Sequence, residues 1–200
     1  MAKSRRLTQL LSRLDFLERN ILPAQRLTGN YTKTERDLIK SFLLLAHAEI
    51  EAYFEDIVTE KVKKALNKWT TERKRSACLN AVLAFSGNEL SYENEKKVNS
   101  NNIVFRINRA VSHYLGLVNK NNGVKEKNIL NLILPIGIEL SELDNTWLSV
   151  MEAFGTTRGN IAHNSSVVQQ QLDRNTERDR IVNQILPEIE RLDELIGKLQ

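Results

Sequence analysis

Apolar residues recur every three or four positions along most of this chain, and the polar breaks between the runs divide it into helices. Leu7, Leu10, Leu14, Leu17 and Ile21 form the first stripe and predict an amphipathic helix over residues 4–22. Pro23 should end it, because proline lacks an amide donor and restricts the residue before it. Thr32 and Glu35 stand at capping-box spacing. From there Leu38, Ile39, Phe42, Leu43, Ala46, Ile50, Tyr53, Phe54, Ile57, Val62, Leu66 and Trp69 keep a helical period with no Gly or Pro. One long helix is expected over 33–69, on the order of 50 Å from end to end.

A short helix is expected over 73–85. Residues 86–102 carry five asparagines and read as loop. Ile103, Val104, Ile107, Ala110, Val111, Tyr114 and Val118 mark a further amphipathic helix, closed by the turn-forming residues 119–123. A shorter helix over 125–134 should stop near Pro135. The next helix starts at Asp144 as N-cap, with Trp147, Val150, Met151, Phe154 and Ile161 inward. A last one over 176–199 carries Ile181, Ile185, Ile189 and Leu192, with Pro187 as a kink point.

No period-two alternation appears, so the fold class is all-α, a multi-helix bundle around the long helix 33–69. The 200 residues are 41% hydrophobic and 27% charged, enough apolar material for one core and too much for a disordered chain. The whole chain, 1–200, is therefore expected to form one domain. Its single cysteine, Cys78, leaves no internal disulfide and no cysteine cluster for zinc, which points to a reducing, cytoplasmic setting. The most apolar run, 129–138, is far shorter than the roughly 20 residues a membrane span needs.

Candidate chemistry lies at Arg158-Gly159-Asn160-Ile161-Ala162-His163. Arg158 follows Phe154 by one helical turn and so takes a position that the apolar period reserves for a core side chain. A guanidinium there needs a carboxylate, a set of carbonyls or an arriving anion. Glu49 or Glu51 of the long helix could supply the carboxylate. His163 lies about 140° around an ideal helix from Arg158, so either Gly155 and Gly159 distort the helix or a second subunit completes the site. Arginine's planar fork matches two phosphate oxygens, and histidine changes charge near neutral pH. Together they suit metal-independent RNA cleavage by the substrate's own 2′-OH, with Arg158 as phosphate clamp, His163 as acid/base catalyst and Asn160 in support. No cofactor or metal is called for. His47 and Glu51, one turn apart, are candidates for an outer shell around that site.

These residues resemble the HEPN superfamily, whose nuclease members carry Arg-x(4–6)-His in a small helical domain that dimerises. The segment Ala46-His47-Ala48-Glu49-Ile50-Glu51-Ala52-Tyr53-Phe54 is similar to the early helix of its RiboL-PSP-HEPN branch, and the two motifs place the resemblance over about 33–195. At the position after the arginine, where active members often have Asn, Asp or His, this chain has Gly159, and the amide follows at Asn160. The resemblance implies a homodimeric endoribonuclease of the toxin or antiphage kind, with RNA as substrate and a companion antitoxin as partner. The alternative is a catalytically silent module that binds RNA or protein.

Two basic clusters are candidates for RNA contact. Lys61, Lys63, Lys64, Lys68, Arg73, Lys74 and Arg75 cover the end of the long helix and the turn after it. Arg106, Arg109 and His113 share a polar helix face with Asn102 that reads as solvated, opposite Ile103, Ile107, Val111 and Tyr114. The net charge of +4 permits nucleic-acid binding without demanding it.

Overall fold

A computed structural model describes residues 3–26, 29–86, 103–163 and 172–199. Eight α-helices follow one another among them: α1 (Arg5–Asn20), α2 (Lys33–Glu72), α3 (Ala77–Ser86), α4 (Ile103–Val118), α5 (Glu126–Ile133), α6 (Asn145–His163), α7 (Arg174–Asp179) and α8 (Leu186–Lys198). The described residues contain no strand, and the all-α expectation holds. The expected loop 86–102 lies outside them, except for Ser86, the last residue of α3.

The long helix is the axis of the bundle. α1, α3, α4, α5 and α6 all pack against α2. Its sequence explains this: Ile39, Phe42, Leu43, Ala46, Ile50, Tyr53, Phe54, Ile57, Val58, Val62 and Ala65 are all buried, too wide a band for a helix with only one packed face. The capping box forms as the spacing predicts, with Thr32 Oγ1 accepting from Glu35 N–H and Glu35 accepting from Thr32 N–H. α1 buries Leu7, Leu10, Leu14 and Leu17 against α2. Its start is tied to the far end of the chain, because Asp193 of α8 accepts from the Ser4 amide (2.9 Å), the Ser4 hydroxyl and the buried Tyr53 hydroxyl (3.0 Å).

Several boundaries differ from expectation. α3 begins at Ala77, not at 73, because Arg73 closes α2 in the left-handed region at φ 56°; its guanidinium then stacks on Trp69, 4.8 Å from the ring centre. Two 3₁₀ turns, Leu134–Ile136 and Leu140–Glu142, fill the connection to α6. Between α7 and α8, residues Arg180–Ile185 form a π-helical turn. Pro187 lacks the N–H that a regular helix would use, and the wider turn lies just before it. Trp147 Nε1 donates to the Ile185 carbonyl at 3.2 Å, which fixes this turn on α6.

Candidate functional site

α6 starts on its predicted cap. Asp144 Oδ1 accepts from the amides of Thr146 (2.7 Å) and Trp147 (3.2 Å), and these bonds hold its carboxyl below the usual carboxylate range. Trp147, Leu148, Met151, Phe154 and Gly155 are buried, whereas Val150 and Ile161 are half-buried. The helix runs unbroken through Gly155 and Gly159 to His163, so neither glycine distorts it. Gly155 instead permits close approach: a Cβ there would lie 2.6 Å from Lys125 Cγ and 3.4 Å from the Lys125 amide nitrogen. The connection from α4 to α5 is thereby pressed onto α6.

Arg158 is half-buried, while Asn160 and His163 are exposed. Neither carboxylate expected to neutralise Arg158 does so. Glu49 pairs with Arg13 at 3.0 Å, and Glu51 accepts from the Gly123 amide. Among the described residues no carboxylate lies within ion-pair distance of Arg158.

The charge of Arg158 is felt at His47. This imidazole is only 2% exposed and packs on Phe154 with ring centres 5.5 Å apart. Its Nδ1 has no hydrogen-bond partner among the described residues, and the nearest carboxylate oxygen, on Glu51, is 3.6 Å away. Burial pushes its pKa down to about 4, with the Arg158 charge acting in the same direction, so His47 is a neutral ring at physiological pH. It is the expected partner of Glu51 in place, though not in bonding.

Around His47 lies a network that sequence reasoning missed. Gly123, at φ +123°, donates its amide to Glu51 and closes over the His47 ring, where an added Cβ would sit 4.0 Å from Nε2. Asn121 Nδ2 donates to Glu55 Oε1 (2.9 Å) and to the Gly123 carbonyl (3.0 Å), and Asn128 donates to Asn121 (3.1 Å). Glu55 is raised above the usual carboxylate range, chiefly by burial, with the Asn121 bond opposing. The signal was present in the sequence: His47, Glu51 and Glu55 recur every four residues on a helix whose other inward positions are apolar. A polar stripe in such a place requires internal partners.

The basic clusters are divided by the fold. Arg106, Arg109 and His113 are half-buried, and neither arginine is free, so this is not the solvated face the helical wheel predicts. Ile103, expected inside, is 58% exposed. Asn102 lies outside the described residues. In the cluster at the end of α2, Arg73 is taken by Trp69 and Lys74 by Glu72 at 2.6 Å, whereas Lys61, Lys64 and Lys68 converge on one cavity.

No group of side chains among the described residues is arranged to hold a metal ion, and no described helix is long and apolar enough to cross a membrane. No curated protein and no solved structure gives a match to the chain. The family described as RiboL-PSP-HEPN matches over residues 5–198, a span that contains all eight helices, the His47 stripe of α2 and the Arg158/His163 pair that ends α6. On that match the chain belongs to the RiboL-PSP-HEPN family of the HEPN superfamily.

Proposed function

We propose that the chain is a metal-independent endoribonuclease that acts as a homodimer on single-stranded RNA. The observation that carries this reading is Arg158, a half-buried guanidinium with no carboxylate within ion-pair distance among the described residues and with the buried, neutral His47 imidazole within the range of its charge. A half-buried guanidinium without such a partner is open to an arriving anion. A phosphodiester supplies one, and family membership supports an RNA-related role.

On a continuous α6 the side chains of Arg158 and His163 diverge by about 140° and are separated by roughly 7.5 Å along the axis. One copy does not aim both at one phosphorus, which favours the dimer. Two-fold pairing of the α6 ends would line a shared cleft with two arginines and two exposed histidines. In that cleft the ribose 2′-oxygen attacks the adjacent phosphorus while one histidine takes its proton. The bond from phosphorus to the 5′-oxygen breaks, and a protonated histidine supplies the proton that oxygen needs. Arg158 binds the two non-bridging oxygens and stabilises the charge that builds on them. Asn160, exposed between the two, can hold a phosphate oxygen or orient the imidazole. The products are a 2′,3′-cyclic phosphate and a 5′-OH, and DNA, without the 2′-OH, is inert. Within this reading the chain serves as a toxin or antiphage effector, restrained by a companion protein.

The test is cleavage of end-labelled single-stranded RNA in excess EDTA by the wild type, Arg158→Ala and His163→Ala, with analysis of the product ends. Cyclic-phosphate products that disappear in both variants support the reading. Equal activity in all three proteins removes the chemistry from this motif, and no cleavage by the wild type favours a non-catalytic binding module.

A further inference from the structure

The last turns of α2, the start of α3 and the end of α8 line a solvent-open cavity of about 190 Å³. Its lining is cationic. Lys61, Lys64 and Lys68 occupy successive turns of one face of α2 and all reach it. Ser76, which caps α3 by accepting from the Leu79 amide at 3.1 Å, forms another wall, where the positive end of the α3 dipole is set against the negative end of α8 at Gly197 and Leu199, so the three ammonium groups decide the sign of the site. Lys61 is held in place by donating to the Gly197 carbonyl at 3.1 Å. No carboxylate among the described residues pairs with any of the three. Burial, with Lys64 and Lys68 adding to it, lowers the Lys61 pKa. Three like charges on one small cavity are mutually repulsive, and an anion within it would relieve all of them at once.

We propose that this cavity is a binding site for a single backbone phosphate of the RNA, remote from the cleavage site. It holds several times a water molecule's share of liquid volume, about 30 Å³, which leaves room for one phosphodiester. Lys61 and Lys68 lie fourteen and twenty-one residues beyond His47 on the same helix, and thus roughly 20–30 Å from the Arg158 end. RNA held at both places would run along α2. The inference rests on RNA being the ligand and does not require that the chain cleave it.

The experiment measures binding of labelled single-stranded RNA to the full chain carrying His163→Ala, in EDTA, across about 50 to 200 mM salt. The same chain with Lys61→Gln, Lys64→Gln and Lys68→Gln is compared, after circular dichroism shows an unchanged fold. A site for one phosphate predicts several-fold weaker binding and a salt slope reduced by about 0.7, the value for one single-strand phosphate. A slope reduced by about 2 means three separate surface contacts and overturns the shared pocket. An unchanged affinity and slope overturns the site altogether. Stabilisation of the wild type by inorganic phosphate, lost in the triple variant while RNA affinity is unaffected, would assign the cavity to a free anion and overturn the proposal as well. Failure of cleavage leaves every one of these readings intact, so the two proposals fail separately.

Discussion

Acidification from pH 7 to pH 4 should cost the folded chain about 3 kcal/mol through His47 alone. The imidazole is buried against Phe154, faces the Arg158 charge and has no partner on Nδ1 among the described residues. Its pKa falls from 6.5 to about 4, and each pH unit between those values is worth about 1.4 kcal/mol. The sign follows from proton counts. Below pH 6.5 the unfolded chain takes up a proton that the folded chain refuses, so stability is full above the unfolded value and is lost as pH falls toward 4. Glu51 and Glu55 face the same region and would favour a protonated ring, but Glu51 is engaged by Gly123 and Glu55 by Asn121. The assay is urea unfolding followed by tryptophan fluorescence at several pH values between 7 and 4.5, at one protein concentration. His47→Gln is measured in parallel, and the other carboxylates cancel in the difference between the two curves. The variant should be less stable at pH 7 and should converge on the wild type as pH falls. Curves that stay parallel throughout would show that His47 protonates freely in the folded chain and would refute the reasoning.

The two glycines of α6 should respond in opposite directions. Gly155→Ala drives a Cβ to 2.6 Å from Lys125 Cγ and should destabilise by about 1–3 kcal/mol, whereas Gly159→Ala meets nothing within 4 Å and should gain about 0.5–1 kcal/mol from helix propensity; denaturant midpoints compare them. Asp193→Ala leaves the buried Tyr53 hydroxyl and the Ser4 amide without their acceptor, so a loss of about 1–3 kcal/mol is expected, with earlier amide exchange in α1 as the local signature. Cys78 is fully buried and its thiol is pushed up to about 11 by burial, with Lys61 opposing. It should resist iodoacetamide at pH 8 in the native chain and react at once in urea; rapid native labelling would contradict the packing of α3 on α2.

How much of this was legible beforehand depends on the range of the interaction involved. Helix identity, the caps at Thr32 and Asp144, and the buried stripes of α1 and α2 all arise from residues within a turn of one another, so local periodicity determined them. So did the motif itself and the conflict of a cation at an apolar position. The partners of that cation were beyond local reading. Glu49 and Glu51 were chemically reasonable neighbours for Arg158, yet one is taken by Arg13 from α1 and the other by Gly123 from the connection after α4. Both choices depend on how distant segments dock on α2. The same holds for the basic residues, which look alike in sequence. The fold engages Arg73 and Lys74 locally, half-buries Arg106 and Arg109, and gathers Lys61, Lys64 and Lys68 around a cavity bordered by the end of α8. Sequence determined the helices and the kinds of charge they carry, because those are short-range properties of the chain. Tertiary structure decided which charges are neutralised among the described residues and which are not, because compensation of a charge is settled by whatever long-range packing brings within a few ångströms of it.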